Sequence, residues 1–209
     1  VNSINWARII AQSVDYFYGY FLIENKSEPI NFSVPTGNFG DVYAGYLAKR
    51  IGLPVNKFIV ATNQNDILHR AIWKGNYYVE NVLETISPSM DIQIASNFER
   101  LIYDLNDQND EKTIEAMKEI KEKGKYEINK ENLDKINVDF LSSRMNENEV
   151  LATIKTVHEK FDKVLDPHSA IGYGAFDKVN LKGNNIVLAT AHPCKFTSAI
   201  EKAINIKDE

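Results

Sequence analysis

The segment Val34-Pro35-Thr36-Gly37-Asn38-Phe39-Gly40-Asp41 constrains this chain more than any other stretch. Before it, Ile30, Phe32 and Val34 alternate with polar residues, the two-residue period of a strand. After it, Val42, Ala44, Leu47, Ala48 and Ile51 recur at helical offsets, and Gly52 and Pro54 close the helix as a C′ glycine and a following proline do. Phe58-Ile59-Val60-Ala61 is a short apolar run that suits a buried strand. Strand, helix and strand at this spacing form a βαβ unit, which requires a parallel sheet covered by helices. The fold class expected is therefore α/β, an open, mostly parallel sheet in three layers.

Other segments fit that frame. Trp6, Ile9, Ile10, Tyr16, Phe17, Tyr20 and Phe21 form the apolar face of a helix whose polar face carries Arg8, Gln12 and Asp15. Its aromatic residues read as core packing. Helices are expected over 65–73, 97–103, 150–161 and 195–204, and short strands at 92–95 and 185–188. From Asn106 to about residue 132 the chain is dense in Asp, Glu and Lys, which reads as solvated helices and loops. The chain divides into an α/β segment over 1–105, a charged helical insertion over 106–149, and a return to the same α/β domain over 150–209.

Composition excludes several classes. The 44% of hydrophobic residues suffices for a buried core, yet no apolar run is long enough to cross a bilayer. Acidic residues outnumber basic ones by 29 to 24, so charge gives no reason to expect nucleic acid or an anionic membrane as partner. The single cysteine, Cys194, rules out an internal disulfide framework and reads as a small packing residue. Histidines 69, 158, 168 and 192 lack metal-ligand spacing, so no metal site is expected. The first residue is Val1 rather than Met, and an upstream segment is expected.

The 34–41 segment joins a strand to a helix, so its backbone N–H groups and the helix N-terminus favour an anion, typically phosphate. A tight turn without a ligand remains the alternative. Asn2-Ser3-Ile4-Asn5-Trp6-Ala7-Arg8 is either an anion pocket or an N-cap followed by an exposed Arg. Asp166-Pro167-His168-Ser169 looks like a helix start, with His168 at the surface or capping. Thr190, His192 and Lys195 follow a late strand, at the end where open α/β sheets bind ligands.

Several blocks, in this order, resemble the threonine synthase family of pyridoxal-phosphate enzymes, of fold type II. They are 2–8, 34–41, Ala61-Thr-Asn-Gln-Asn-Asp-Ile-Leu68, Ser87-Pro-Ser-Met-Asp-Ile92, Ser96-Asn-Phe-Glu-Arg100, Asp166-Pro-His-Ser-Ala170 and Leu188-Ala-Thr-Ala-His-Pro193. The resemblance spans the chain apart from 106–149 and is to the longer, bacterial and fungal form. It implies that Gly37, Asn38, Phe39, Gly40 and Asp41 bind the phosphate of pyridoxal 5'-phosphate and that Thr190 faces its pyridine nitrogen. It implies that Asn2, Ser3, Arg8 and Asn38 bind the phosphate of the substrate, O-phosphohomoserine. The implied reaction is a β,γ-replacement giving threonine and phosphate, a lyase chemistry of threonine biosynthesis in the cytoplasm.

The family's Schiff-base lysine lies upstream of the 2–8 block, and Lys74, Lys182 and Lys195 do not match its context. The chain therefore reads as a C-terminal portion, inactive alone, whose missing N-terminal segment would leave an apolar face and sheet edges uncovered, with self-association as an outcome. Competing readings are another fold type II enzyme, a dehydratase or a cysteine-synthase-like protein, or a non-catalytic phospho-ligand-binding module.

Overall fold

The computed structural model describes residues 5–204. In chain order its elements are α1 Trp6–Phe21, β1 Ile30–Pro35, α2 Gly40–Arg50, β2 Lys57–Thr62, α3 Ile67–Lys74, β3 Asn76–Tyr78, α4 Phe98–Leu105, α5 Asp110–Lys123, β4 Lys125–Glu127, α6 Lys130–Asp139, β5 Phe140–Arg144, α7 Glu147–Phe161, α8 Pro167–Val179, β6 Asn184–Val187 and α9 Thr197–Ile204. Single 3-10 turns lie at Pro88–Met90 and Pro193–Lys195.

The main sheet has the order β5-β2-β1-β6, and each neighbouring pair is parallel. β3 and β4 pair separately and antiparallel. Strand alternation divides the interior in two. Phe32, Val34, Phe58, Val60 and Phe140 point into one core with α1, α2 and α4, where Tyr16, Phe32, Phe58 and Phe140 form a chain of ring contacts. Ile59 and Ala61 point to the other face, against Met145, Ala170, Ile171 and Ala175 beneath α7 and α8. That is the expected three-layer α/β arrangement.

Close approach explains two small residues. A Cβ on Gly45 would collide with the rings of Tyr16 and Phe58, so glycine lets α1 cross α2 there. On the opposite face, Ser33 Oγ donates to Gly172 O at 2.6 Å, fastening α8 to β1.

The structure corrects several expectations. Residues 92–95 are not a strand, because the Ala95 N–H is taken by Tyr77 Oη at 2.8 Å rather than by a ladder. The charged stretch contains helices, as expected, but residues 106–149 also contribute β5, registered on β2 from Phe58–Phe140 to Thr62–Arg144. The apolar face of α1 is core only in part: Ile9 and Tyr16 are buried in it and Phe17 and Tyr20 pack against it. Trp6, Ile10 and Phe21 of that face are exposed. Cys194 is exposed rather than packed. His168 is 3% exposed, so it is neither at the surface nor merely a cap. Among the described residues, no helix is long and apolar enough to cross a membrane.

Candidate active site

Strand order decides where a ligand can sit. From β1 the chain moves through β2 to β5 on one side, then returns to place β6 on the other side of β1. The connections leaving the carboxyl ends of β1 and β6 therefore diverge, and the crevice between them is the natural site of an open α/β sheet. A cavity of about 410 Å³ lies there. It is lined by the loop after β1 (Thr36 to Asp41), the loop after β6 (Leu188 to Ala191), Arg8, Gln12 and Asp15 of α1, and Ser89, Met90 and His168.

The 36–41 loop has an unusual backbone. Phe39, not a glycine, is left-handed, with φ 69° and ψ 2°. A bulky residue is rare in that region. Its ring is 1% exposed and packs edge-on against Phe98 at 5.2 Å, so the core holds the turn in place. The Asn38 carbonyl accepts from Asn97 N at 3.0 Å, and Asn38 Oδ1 accepts from Gly40 N at 2.8 Å. Among the described residues, the N–H groups of Gly37, Asn38 and Phe39 meet no acceptor. Three unsatisfied donors beside the N-terminus of α2 suit a phosphate.

A strap from Leu83 to Asp91 forms one wall. Asn63 Nδ2 lies 2.9, 2.9 and 2.7 Å from Thr85 Oγ1, Ser87 Oγ and Asp91 Oδ1, which share its two hydrogens. Asn65 Nδ2 donates to Leu83 O at 2.9 Å and takes the Leu83 N–H on its Oδ1 at 2.8 Å. The strap presses on the loop. A Cβ at Gly37 would lie 2.5 Å from Ser89 O.

The cavity's charge is mixed. Asp41 is pushed up to about 6, first by burial and then by the Asp15 charge, against a hydrogen bond from Tyr16 and the pull of Arg8. Tyr16 Oη also donates to the Asp41 carbonyl at 2.7 Å.

Of the residues singled out in the sequence, Arg8, Gly37, Asn38, Phe39, Gly40, Asp41 and Thr190 come together in this cavity. Asn2 and Ser3 lie outside the described residues. His192 and Lys195 are exposed and do not line the cavity. The sequence reading missed Asp15 and His168, both cavity residues, and the strap network, whose partners lie 18 to 28 residues apart.

An open parallel sheet with a phosphate-type loop at its switch point is the architecture of the fold type II pyridoxal-phosphate enzymes. A threonine deaminase isoform from Solanum lycopersicum, 12% identical over 95% of this chain and half of its own, superposes with a TM-score of 0.60 and shares the fold.

Nearer comparisons narrow the class. Residues 169–209 match the family described as threonine synthase, C-terminal. A threonine synthase from Pseudomonas aeruginosa is 45% identical over 97% of this chain and 44% of its own length. The crystal structure of a pyridoxal-phosphate-bound threonine synthase from Brucella melitensis is 43% identical, covers all of this chain and 45% of its own, and superposes with a TM-score of 0.96. The chain corresponds to the C-terminal portion of threonine synthases, and it spans less than half the length of these relatives.

Proposed function

We propose that this chain is the phosphate-binding part of a threonine synthase, which converts O-phosphohomoserine and water to threonine and phosphate. The observation that carries the reading is the set of three acceptor-free N–H groups, Gly37 to Phe39, opening at the switch point into the cavity that Arg8 lines.

Pyridoxal phosphate, when bound, supplies an electron sink for the carbanions formed next to the substrate amino group. The chain's own residues do the rest. The N–H groups of Gly37, Asn38 and Phe39 hold the cofactor phosphate, aided by the α2 N-terminus. Gly40, whose N–H is already bonded to Asn38, gives room rather than a donor. Asp41, which keeps its proton to a higher pH than an ordinary carboxyl, would repel a phosphate at this loop less than a full carboxylate below about pH 6. The Thr190 hydroxyl, which lines the same cavity, would offer the pyridine nitrogen a neutral partner. Arg8, with Asn2 and Ser3, binds the substrate phosphate, and Asn38 adds its amide because its Oδ1 is engaged with Gly40. Met90, Leu188, Ala189 and Ala191 give the cavity apolar walls that limit water.

In this reading the Schiff-base lysine comes from a segment preceding Val1, and the chain alone is inactive. The working protein is cytoplasmic, and self-association would cover the exposed apolar residues of α1. Incubation of this chain with pyridoxal phosphate, borohydride reduction and peptide mapping should give no specific pyridoxyl-lysine; one specific adduct would refute the inactivity. In the complete enzyme, Arg8→Ala should raise the KM for O-phosphohomoserine at least tenfold. An unchanged KM sinks the substrate assignment.

A further inference from the structure

We propose that His168 is a positioning residue that, through Ser89, holds the wall of the phosphate loop and so sets its anion affinity. This deepens the reading of Gly37 to Phe39 as a phosphate site and rests on it.

The chain of contacts starts at the N-terminus of α8. Asp166 caps the helix, accepting from His168 N at 2.9 Å and from Ser169 N at 3.4 Å, and Ser169 Oγ also donates to it. It is 1% exposed. Burial alone would raise its pKa, but hydrogen bonds from His168 and Ser169 hold it below the ordinary carboxylate range. Ionised Asp166 is an acceptor only, so His168 Nδ1, 2.9 Å from Asp166 Oδ1, must carry a proton. In the neutral ring this leaves a lone pair on Nε2, which accepts from Ser89 N at 3.3 Å. The ring is further fixed by Phe196, 4.9 Å away between centroids.

Ser89 faces both ways. Its N–H goes to His168 and its carbonyl oxygen lies against Gly37, where no Cβ would fit. A helix on one face of the sheet thus fixes the backbone against which the phosphate loop packs. His168 reaches the loop through Ser89, with no contact of its own to the loop's donors.

The test has two parts, both on the complete natural polypeptide. Nitrogen-15 imidazole shifts in the wild type report the tautomer, and Nδ1–H with a bare Nε2 is expected; an Nε2–H ring overturns the proposal. Equilibrium dialysis then measures binding of pyridoxal phosphate, with phosphate-free pyridoxal as control. His168→Phe keeps a ring against Phe196 but orphans the Ser89 N–H, and affinity for pyridoxal phosphate should fall about tenfold. His168→Gln can still accept from Ser89, so its affinity should lie within about threefold of wild type, and pyridoxal binding should change in neither variant. If wild type binds the phosphate ester no better than pyridoxal, the phosphate-site reading fails and takes this proposal with it. If wild type prefers the ester and His168→Phe keeps that preference in full, or His168→Gln loses as much as His168→Phe, only the proposal fails.

Discussion

Asp41→Asn should stabilise the protein, and only above a definite pH. Asp41 lies in the first turn of α2, partly buried, with its pKa raised to about 6 by burial and by Asp15. The unfolded chain releases that proton near the ordinary value of 3.8. Between those two values the folded state binds more protons than the unfolded state, so stability falls as pH rises through the window. Above it the carboxylate costs up to about 3 kcal/mol, and partial solvent screening reduces this to about 1–2 kcal/mol. Asparagine keeps the shape and cannot ionise. The variant should match wild type below about pH 4, gain steadily to about pH 6, and hold a constant lead above pH 7. For a chain of this size that lead is a rise in Tm of about 3–6 °C. Urea melts at half-unit steps from pH 4 to 8 measure it. Asp15→Asn should shrink the lead, because it removes the second cause of the shift. A constant offset between variant and wild type across the whole range, or a less stable variant at pH 7.5, refutes the reasoning.

Two further predictions concern the same cavity. Gly37→Ala drives a Cβ to 2.5 Å from the Ser89 carbonyl, a backbone atom that the strap network holds, so it should cost about 1–3 kcal/mol and weaken pyridoxal phosphate binding at least tenfold. Gly52→Ala is the control, since Gly52 has φ +116° but open space around it; dialysis should show lost binding for the first variant and none for the second. Asp166→Ala removes the α8 cap and strands the His168 Nδ1–H, at a cost of about 2–3 kcal/mol near pH 7. Because the folded pKa of Asp166 is depressed, that contribution is present above the ordinary carboxylate range and lost as pH falls through the folded value. Melts of wild type and variant should therefore converge in acid, and a gap of equal size at pH 3 and pH 7 contradicts the assignment.

The central βαβ unit was legible because each boundary carries its own punctuation. Alternation marks β1, helical spacing marks α2, and Gly52 with Pro54 separates α2 from β2. The phosphate loop was legible because a strand, a short glycine-containing turn and a helix follow one another. Its left-handed residue was not, since it is Phe39, and only the distant contact with Phe98 makes that tolerable. β5 was not legible, because Phe140-Leu-Ser-Ser-Arg144 is short, polar on average and preceded by a charged run. Its strand character comes from pairing with β2, a tertiary fact. His168 and the strap were missed likewise. A polar residue in a helix start reads as surface until its partners, here from residues 87–91 and 196, are brought to it.

The left-handed turn at Phe39 has a consequence for how the loop meets its ligand. An anion loop that orders only on binding loses affinity to that ordering. Here the ring is locked in the core, so the donors of residues 37–39 are preorganised and little conformational entropy remains to be lost. Their amide hydrogens should exchange quickly without ligand although the segment hardly moves, and slowly once an anion accepts from them. Rapid exchange in this loop would report missing acceptors rather than motion.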